Sequence, residues 1–294
     1  MKTYQICPIC EKKKFSHFLH CKDNTGSNEA FSIVKCNNCN FAFTNPIPLE
    51  DQIGKYYESD EYISHSNSKK GLVNFLYQKV RNHTLNKKLA LLKSLSSGRA
   101  LLDIGSGTGE FLNQCNLNGF TIEGIEPSKK GRDQAKNNFN INIKTEEELS
   151  QFKDSSFDFI SMWHVLEHVY HLNDRIKELH RLIKNDGHIV IAVPNLNSLD
   201  AKQYKEFWAA YDVPRHLYHF SPNDIKNLGE KHGLKMVKTL PMKFDSYYVS
   251  MLSEKYKTGN TNIFSGFLTG FKSNNKANPS KTYSSQIYIL KKDI

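Results

Sequence analysis

No stretch of this 294-residue chain approaches the roughly 20 consecutive apolar residues that span a bilayer as a helix. The opening Met1-Lys2-Thr3-Tyr4-Gln5 has no apolar signal region. These two absences count against a helical membrane protein or a secreted one and predict a cytosolic location. Internal repeats are missing as well, which removes solenoids and propellers. Blocks of like charge are lacking: the formal net charge is +10, but the lysines are spread along the chain. Such a field favours acidic small molecules, nucleic acid or anionic surfaces without choosing among them. Apolar residues are not scarce. At 38% hydrophobic and 12% aromatic, the chain buries a core, and disorder throughout is excluded.

Cysteine is almost absent after residue 39, where only Cys115 remains, and Cys115 reads as a buried core thiol. The other five lie in the first 39 residues. Cys7-Pro8-Ile9-Cys10 and Cys36-Asn37-Asn38-Cys39 are two C-x-x-C pairs with 25 residues between them. In a reducing compartment such thiols point to metal before disulfides, and four thiolates complete a tetrahedral Zn²⁺ shell with no open position. Cys7, Cys10, Cys36 and Cys39 are therefore the predicted ligands of a structural zinc, and Cys21 is a spare. Residues 1–48 form a small zinc-ribbon-like module, which Asn45-Pro46-Ile47-Pro48 closes.

Residues 49–98 read as a linker and a helical segment, with apolar residues at helical spacing from Leu72 to Leu95 and a stop at Gly98. Strand and helix then alternate. The predicted strands are 100–104, 121–125, 141–144, 157–163, 188–193, 234–240 and 286–290. Helices are expected at 109–118, 128–138 with Ser128 as cap, 173–183 and 223–232. Residues 257–282, rich in Gly, Asn, Ser and Lys, are expected to be a long loop. This rhythm predicts an α/β fold with a doubly wound, mostly parallel seven-stranded sheet, binding ligands at the carboxyl ends of its strands.

The first of these strands runs into Asp103-Ile104-Gly105-Ser106-Gly107-Thr108-Gly109-Glu110. Glycines there permit positive φ and close backbone approach, and the following helix offers N–H groups to an anion. A dinucleotide fingerprint needs a third glycine where Glu110 stands, and no Lys-Ser/Thr pair follows to make a P-loop. The Asp-x-Gly-x-Gly-x-Gly pattern resembles motif I of class I S-adenosylmethionine-dependent methyltransferases. Ile122-Glu123-Gly124-Ile125-Glu126-Pro127-Ser128, Phe157-Asp158-Phe159-Ile160 and Val165-Leu166-Glu167-His168 are similar to later segments of the same family, so the resemblance runs over roughly residues 72–240. It implies a Rossmann-like methyltransferase domain over 99–294 and S-adenosylmethionine as cofactor. It places Asp103, Gly105, Ser106, Gly107, Gly109, Glu126, Pro127, Met162 and Trp163 around that cofactor. Glu126 would accept the ribose hydroxyls, with Glu123 the weaker choice. The adenine contact falls among Thr145, Glu146, Glu147 and Glu148.

His164-Val165-Leu166-Glu167-His168 also spells H-x-x-E-H, a zinc-protease helix pattern. That reading needs both histidines on one face of a long helix, whereas here the first ends an apolar strand. On the acceptor side, Pro214-Arg215-His216-Leu217-Tyr218-His219-Phe220 resembles a segment of many small-molecule methyltransferases. Sugar C-methyltransferases carry Glu-His where Arg215-His216 stands, which turns the reading toward O-methylation of a small molecule. His216 is the predicted base or acceptor-orienting group, with Tyr218 and His164 as further candidates. An RNA base methyltransferase that uses the zinc module on RNA is the alternative, although the fourth strand lacks an Asn/Asp-Pro-Pro-Tyr element. A non-catalytic cofactor-binding protein is the other alternative.

Overall fold

The computed structural model describes residues 1–57, 72–260, 263–280 and 282–293. Most of the expected linker, 58–71, lies outside the described residues. The chain opens with the hairpin β1 (Phe15–Lys22) and β2 (Ala30–Cys36), followed by the short β3 (Ala42–Thr44). Helix α1 (Leu72–Leu95) precedes the main alternation: β4 (Ala100–Ile104), α2 (Glu110–Asn116), β5 (Thr121–Ile125), α3 (Lys129–Phe139), β6 (Phe157–Trp163), α4 (Leu172–Leu182) and β7 (Ile183–Pro194). Then come α5 (Leu199–Tyr204), β8 (Tyr218–His219), α6 (Pro222–Lys231), β9 (Leu234–Pro241), α7 (Asp245–Thr258), α8 (Ile263–Ser280) and β10 (Ser285–Lys292).

The large sheet has the order β5-β4-β6-β7-β10-β9. The pairs from β5 to β7 are parallel, and β10 runs antiparallel to both β7 and β9. The run from His188 to Val193 in β7 is buried throughout, as expected of a strand covered on both faces. Alternation along β4 and β6 sorts the side chains. Leu102, Ile104, Ile160 and Met162 enter one core, and Leu101 and Phe159 enter the other. The second core is roofed by α1, α2 and α3 through Leu92, Leu112 and Ala135. The first is roofed by α4, whose Leu172, Ile176, Leu179 and Leu182 recur at helical spacing, and by α6. Among the described residues, no helix is long and apolar enough to cross a membrane.

Two expectations are corrected. Among the described residues the sheet has six strands, not seven, because 141–144 makes a single parallel bridge from Lys144 to Ile125. Asn140 ends α3 in the left-handed region, and a helical turn begins at Glu146, so only Lys144 reaches the ladder. Its N–H donates to the Gly124 carbonyl at 2.8 Å. The expected loop 257–282 is mostly the helix α8, packed on α7. Ser246, Ser250 and Ser253 of α7 are buried, as are Thr269, Ser273 and Ala277 of α8. A Cβ on Gly266 would come within 2.7 Å of Met251 Cα, and one on Gly270 within 2.8 Å of Tyr247 Cα. The two helices meet through small residues, which a search for apolar periodicity does not register.

The small sheet, β1-β2-β3-β8, takes its last strand from far along the chain: Ala42 pairs with His219 and Phe43 with Tyr218. Arg215 is 1% exposed and fastens the two parts. Its guanidinium donates to Asp23 at 2.8 Å and to Asp212 at 2.6 Å, to the Tyr56 carbonyl at 2.8 Å, and to the Thr25 hydroxyl. Asp23, in the β1–β2 turn, is fully buried. Arg215→Ala strands this carboxylate without a counter-charge, and we expect a loss of about 3–5 kcal/mol in denaturant unfolding. Adding Asp23→Asn should recover part of that loss, so an equal or larger loss in the double variant would contradict this account of the clamp.

Candidate functional site

The glycine turn after β4 has Gly105, Gly107 and Gly109 all at positive φ, for different reasons. A Cβ on Gly105 would meet Val165 Cγ2 at 2.3 Å, and one on Gly109 would meet Ala135 Cβ at 2.8 Å. A Cβ on Gly107 would meet nothing within 4 Å. The first and third glycines are required by neighbouring protein, whereas the second faces open space. The amides of the turn are less free than the sequence suggested. Those of Gly105 and Ser106 donate to the Ile125 carbonyl, and that of Gly107 donates to Glu126 Oε2 at 2.8 Å. Glu126, at the end of β5, also accepts from the Ser128 N–H at 2.8 Å. Two oxygens with two lone pairs each leave its carboxylate room for further donors. Pro127 beside it is exposed, and Ser128 caps α3 by accepting from the Gly131 N–H. Glu123 is taken up by Lys144. Of the acids after residue 144, Glu146 pairs with Arg175, Glu148 closes a capping box with Thr145, and Glu147 is exposed.

Asp103 is 3% exposed and accepts a hydrogen bond from the Ser161 hydroxyl. Burial raises its carboxyl to about 7, although Ser161 and the positive charge of Lys88 pull the other way. On the same face of the sheet, Trp163 stands edge-on to Phe111, with ring centroids 5.7 Å apart, and the Lys88 ammonium lies 4.2 Å from the Trp163 ring. The Trp163 Nε1 is buried without a hydrogen-bond partner. Met162 points to the opposite face and is wholly inside the first core, away from Asp103. Lys88 and Ser161 were not found by sequence reasoning: the lysine sits in a helix read only for its apolar stripe, and the serine inside a strand read as core.

The acceptor-side candidates separate. His164 follows β6 with φ at 58°. Its Nε2 is 2.9 Å from Asp245 Oδ2 and its Nδ1 is 3.4 Å from Glu167 Oε1. Burial disfavours its charge, but the Asp245 and Glu167 carboxylates outweigh burial and raise the imidazole to about 10. It is therefore a cation at neutral pH with no lone pair for a proton. Asp245, at the start of α7, had no sequence signal. His216 donates from Nδ1 to the Ala210 carbonyl at 2.8 Å, and its ring meets the His168 ring edge-on at 4.6 Å. Tyr218 is not with it. Its hydroxyl is 2.9 Å from that of Tyr4 and donates to the Tyr170 carbonyl, within the aromatic group of the N-terminal sheet. His216 lies before β8 and packs against His168, whereas Tyr218 is within β8, paired with Phe43 of the small sheet.

The four N-terminal cysteines come together. Cys7 and Cys39 sulfurs are 3.6 Å apart, those of Cys10 and Cys36 are 3.4 Å apart, and all four lie within 4.8 Å of one another. Four sulfurs at about 2.3 Å from one tetrahedral ion stand about 3.8 Å apart, so the group fits a metal. The two knuckles share one backbone plan. Cys7 N–H donates to the Lys12 carbonyl and Cys36 N–H to that of Phe41; Glu11 N–H returns to Cys7 and Asn40 N–H to Cys36. Glu11 and Asn40 both adopt positive φ. The large domain holds the first knuckle from outside, with Asn173 donating to the Pro8 carbonyl and Lys231 to that of Ile9. Cys21 and Cys115 are buried, free and apart from this cluster.

The sequence model of the family described as methyltransferase domain matches residues 77–239, more than half of the chain. Among curated proteins, an uncharacterized protein of Methanocaldococcus jannaschii is 33% identical over 118 residues, covering 40% of this chain and 55% of the relative. A second uncharacterized protein of that organism is 34% identical over 106 residues, 35% of this chain and 40% of the relative. The chain thus spans about half the length of the curated relatives it matches. Among solved structures, a SAM-dependent methyltransferase from Archaeoglobus fulgidus superposes with a TM-score of 0.51 at 20% identity, over 74% of this chain and 99% of that one. The magnesium protoporphyrin IX methyltransferase of Synechocystis, with bound SAH, gives 0.53 at 15% identity, over 82% and 99%. These likenesses establish the Rossmann-like fold.

A testable consequence concerns Asp103. Its carboxyl is raised in the folded state, so its contribution to stability is full below its unfolded value near 4 and is lost as pH rises through about 7. In the absence of ligand, Asp103→Asn is expected to melt about 5 °C or more above the parent at pH 8, with the difference shrinking toward pH 5. A difference that does not change across this range would remove the raised value.

Proposed function

The chain belongs to the methyltransferase-domain family, and from that premise we propose that it transfers a methyl group from S-adenosylmethionine to an oxygen of a small-molecule acceptor. The observation that carries the cofactor reading is Asp103, a carboxyl that burial raises to about 7 even with Lys88 acting on it, in the same turn as Gly107, where a Cβ would meet nothing within 4 Å. The cationic amino and sulfonium end of the cofactor fits that acid, and Glu126 has lone pairs to take the ribose hydroxyls. Gly105, Ser106, Gly107 and Gly109 shape the turn, Pro127 borders Glu126, and Trp163 offers an apolar wall with an unused N–H donor. When bound, the cofactor supplies an electrophilic methyl group.

On the acceptor side, His216 is the residue we assign. Its Nδ1 proton is committed to the Ala210 carbonyl, so Nε2 carries the lone pair. That nitrogen takes the acceptor's proton or orients its oxygen for in-line attack. His164 is held as a cation between Asp245 and Glu167 and takes no proton from the acceptor.

Two experiments test this reading. Gly107→Val puts a side chain into the open space and should weaken S-adenosylhomocysteine binding at least tenfold in calorimetry. His216→Ala should leave that binding intact and lower turnover by about 10²–10⁴-fold on a panel of phenols, sugars and carboxylates. Undiminished binding in the first variant overturns the cofactor site, and parental turnover in the second overturns the role of His216.

We further assign structural zinc to Cys7, Cys10, Cys36 and Cys39, on the paired knuckles and the sulfur separations. Elemental analysis of freshly prepared, reduced protein should show a thiolate-bound zinc that Cys36→Ser lowers by about one equivalent. Equal zinc in parent and variant would refute the assignment.

A further inference from the structure

The H-x-x-E-H run fails as a protease helix, because residues 164–168 contain only the short helical turn Leu166–His168. Its first histidine turns away to Asp245. The other two residues meet a different histidine: the ligand atoms of Glu167, His168 and His216 lie within 4.8 Å of one another. We propose that Glu167, His168 and His216 form a second metal site, for a divalent cation that accepts imidazole nitrogen together with carboxylate oxygen, such as Zn²⁺, Co²⁺ or Fe²⁺.

Glu167 is fully buried, and neither of its oxygens has a hydrogen-bond partner. Its nearest cation is His164 Nδ1, 3.4 Å from Oε1 and beyond good hydrogen-bonding geometry. A sealed carboxylate with unused lone pairs is costly unless something positive reaches it. Both histidines are already set as metal-binding histidines are set. His168 Nδ1 is 3.0 Å from the Arg215 carbonyl and His216 Nδ1 is 2.8 Å from that of Ala210. Each carbonyl fixes the proton on Nδ1 and leaves Nε2 with its lone pair. Tyr57 OH also lies 3.0 Å from His168 Nδ1. The backbone holds the group together, because Leu217 N–H donates to the Glu167 carbonyl at 2.8 Å and Thr44 Oγ1 donates to that of His216 at 2.9 Å. Ligands at 2.0–2.2 Å from one ion stand about 3–4 Å apart, so a small rotation of the side chains closes the set.

Two imidazoles and one carboxylate leave a position for another ligand. Resting on the methyl-transfer reading above, that position suits an acceptor oxygen, and His216 then fills the orienting role given to it there, through the ion.

The test reads metal directly. The untagged 294-residue protein, its four-thiol centre filled with one equivalent of Zn²⁺, is titrated with Co²⁺ and followed by visible absorption. One further equivalent should bind with a Kd of about 10 µM or tighter, with weak nitrogen–oxygen bands and no intense thiolate charge-transfer band. Glu167→Gln and His168→Ala should each weaken it at least tenfold. No saturable second equivalent in the parent, thiolate bands, or unchanged affinity in both variants overturns the proposal. The titration uses no cofactor or acceptor, so its failure leaves the methyl-transfer reading standing, and loss of cofactor binding leaves this one standing.

Discussion

Arg215 is a guanidinium sealed inside the protein, and its partners decide where the N-terminal sheet and the acceptor-side chain meet. Charge in such a place is tolerated only with nearly every donor used, and here Asp23, Thr25, Tyr56 and Asp212 use them. Because those partners come from the β1–β2 turn, the segment after β3 and the chain before His216, the clamp fixes all three relative to one another. Its forked, planar geometry is what lets one side chain reach three segments. The shared strand β8 extends the same connection into hydrogen bonds between backbones. The four-thiol module is thus built into the large domain rather than tethered to it, and its apolar side enters the core that lies under one face of the large sheet.

The two faces of that sheet have different duties. One face, through Ile104, Ile160 and Met162, is closed by α4, α6 and the N-terminal module. The other carries Asp103, Ser161 and Trp163 toward α1, where Lys88 brings positive charge to bear on Asp103. Strand alternation alone separates Met162 from Trp163. Asp103 is buried on this second face, and at Gly107 of the same turn a Cβ would meet nothing within 4 Å.

Beyond β6 the charges form a chain: Asp245, the His164 imidazolium, Glu167 and then two histidines that present lone pairs. One end of it depends on α7, whose contact with α8 runs through serine and glycine. The helical pair that the sequence concealed therefore contributes directly to the charge state of the site.

The sequence by itself determined the alternation of β4 to β7 with its helices, the turn at Asp103 to Gly109, the acid Glu126 at the end of β5 and the two C-x-x-C pairs. These signals are local: a buried strand, a glycine turn, a cap or a knuckle is written within a few consecutive residues. Tertiary structure decided the rest. Only the fold could reveal that Arg215 is a structural clamp, that Tyr218 belongs to the small sheet, and that Asp245 holds His164 charged. Only the fold joins Glu167 and His168 to a histidine 48 residues away. Those outcomes depend on which distant segments share a buried space, and in that space the need to pair each charge and hydrogen-bond each polar group sets what a side chain does.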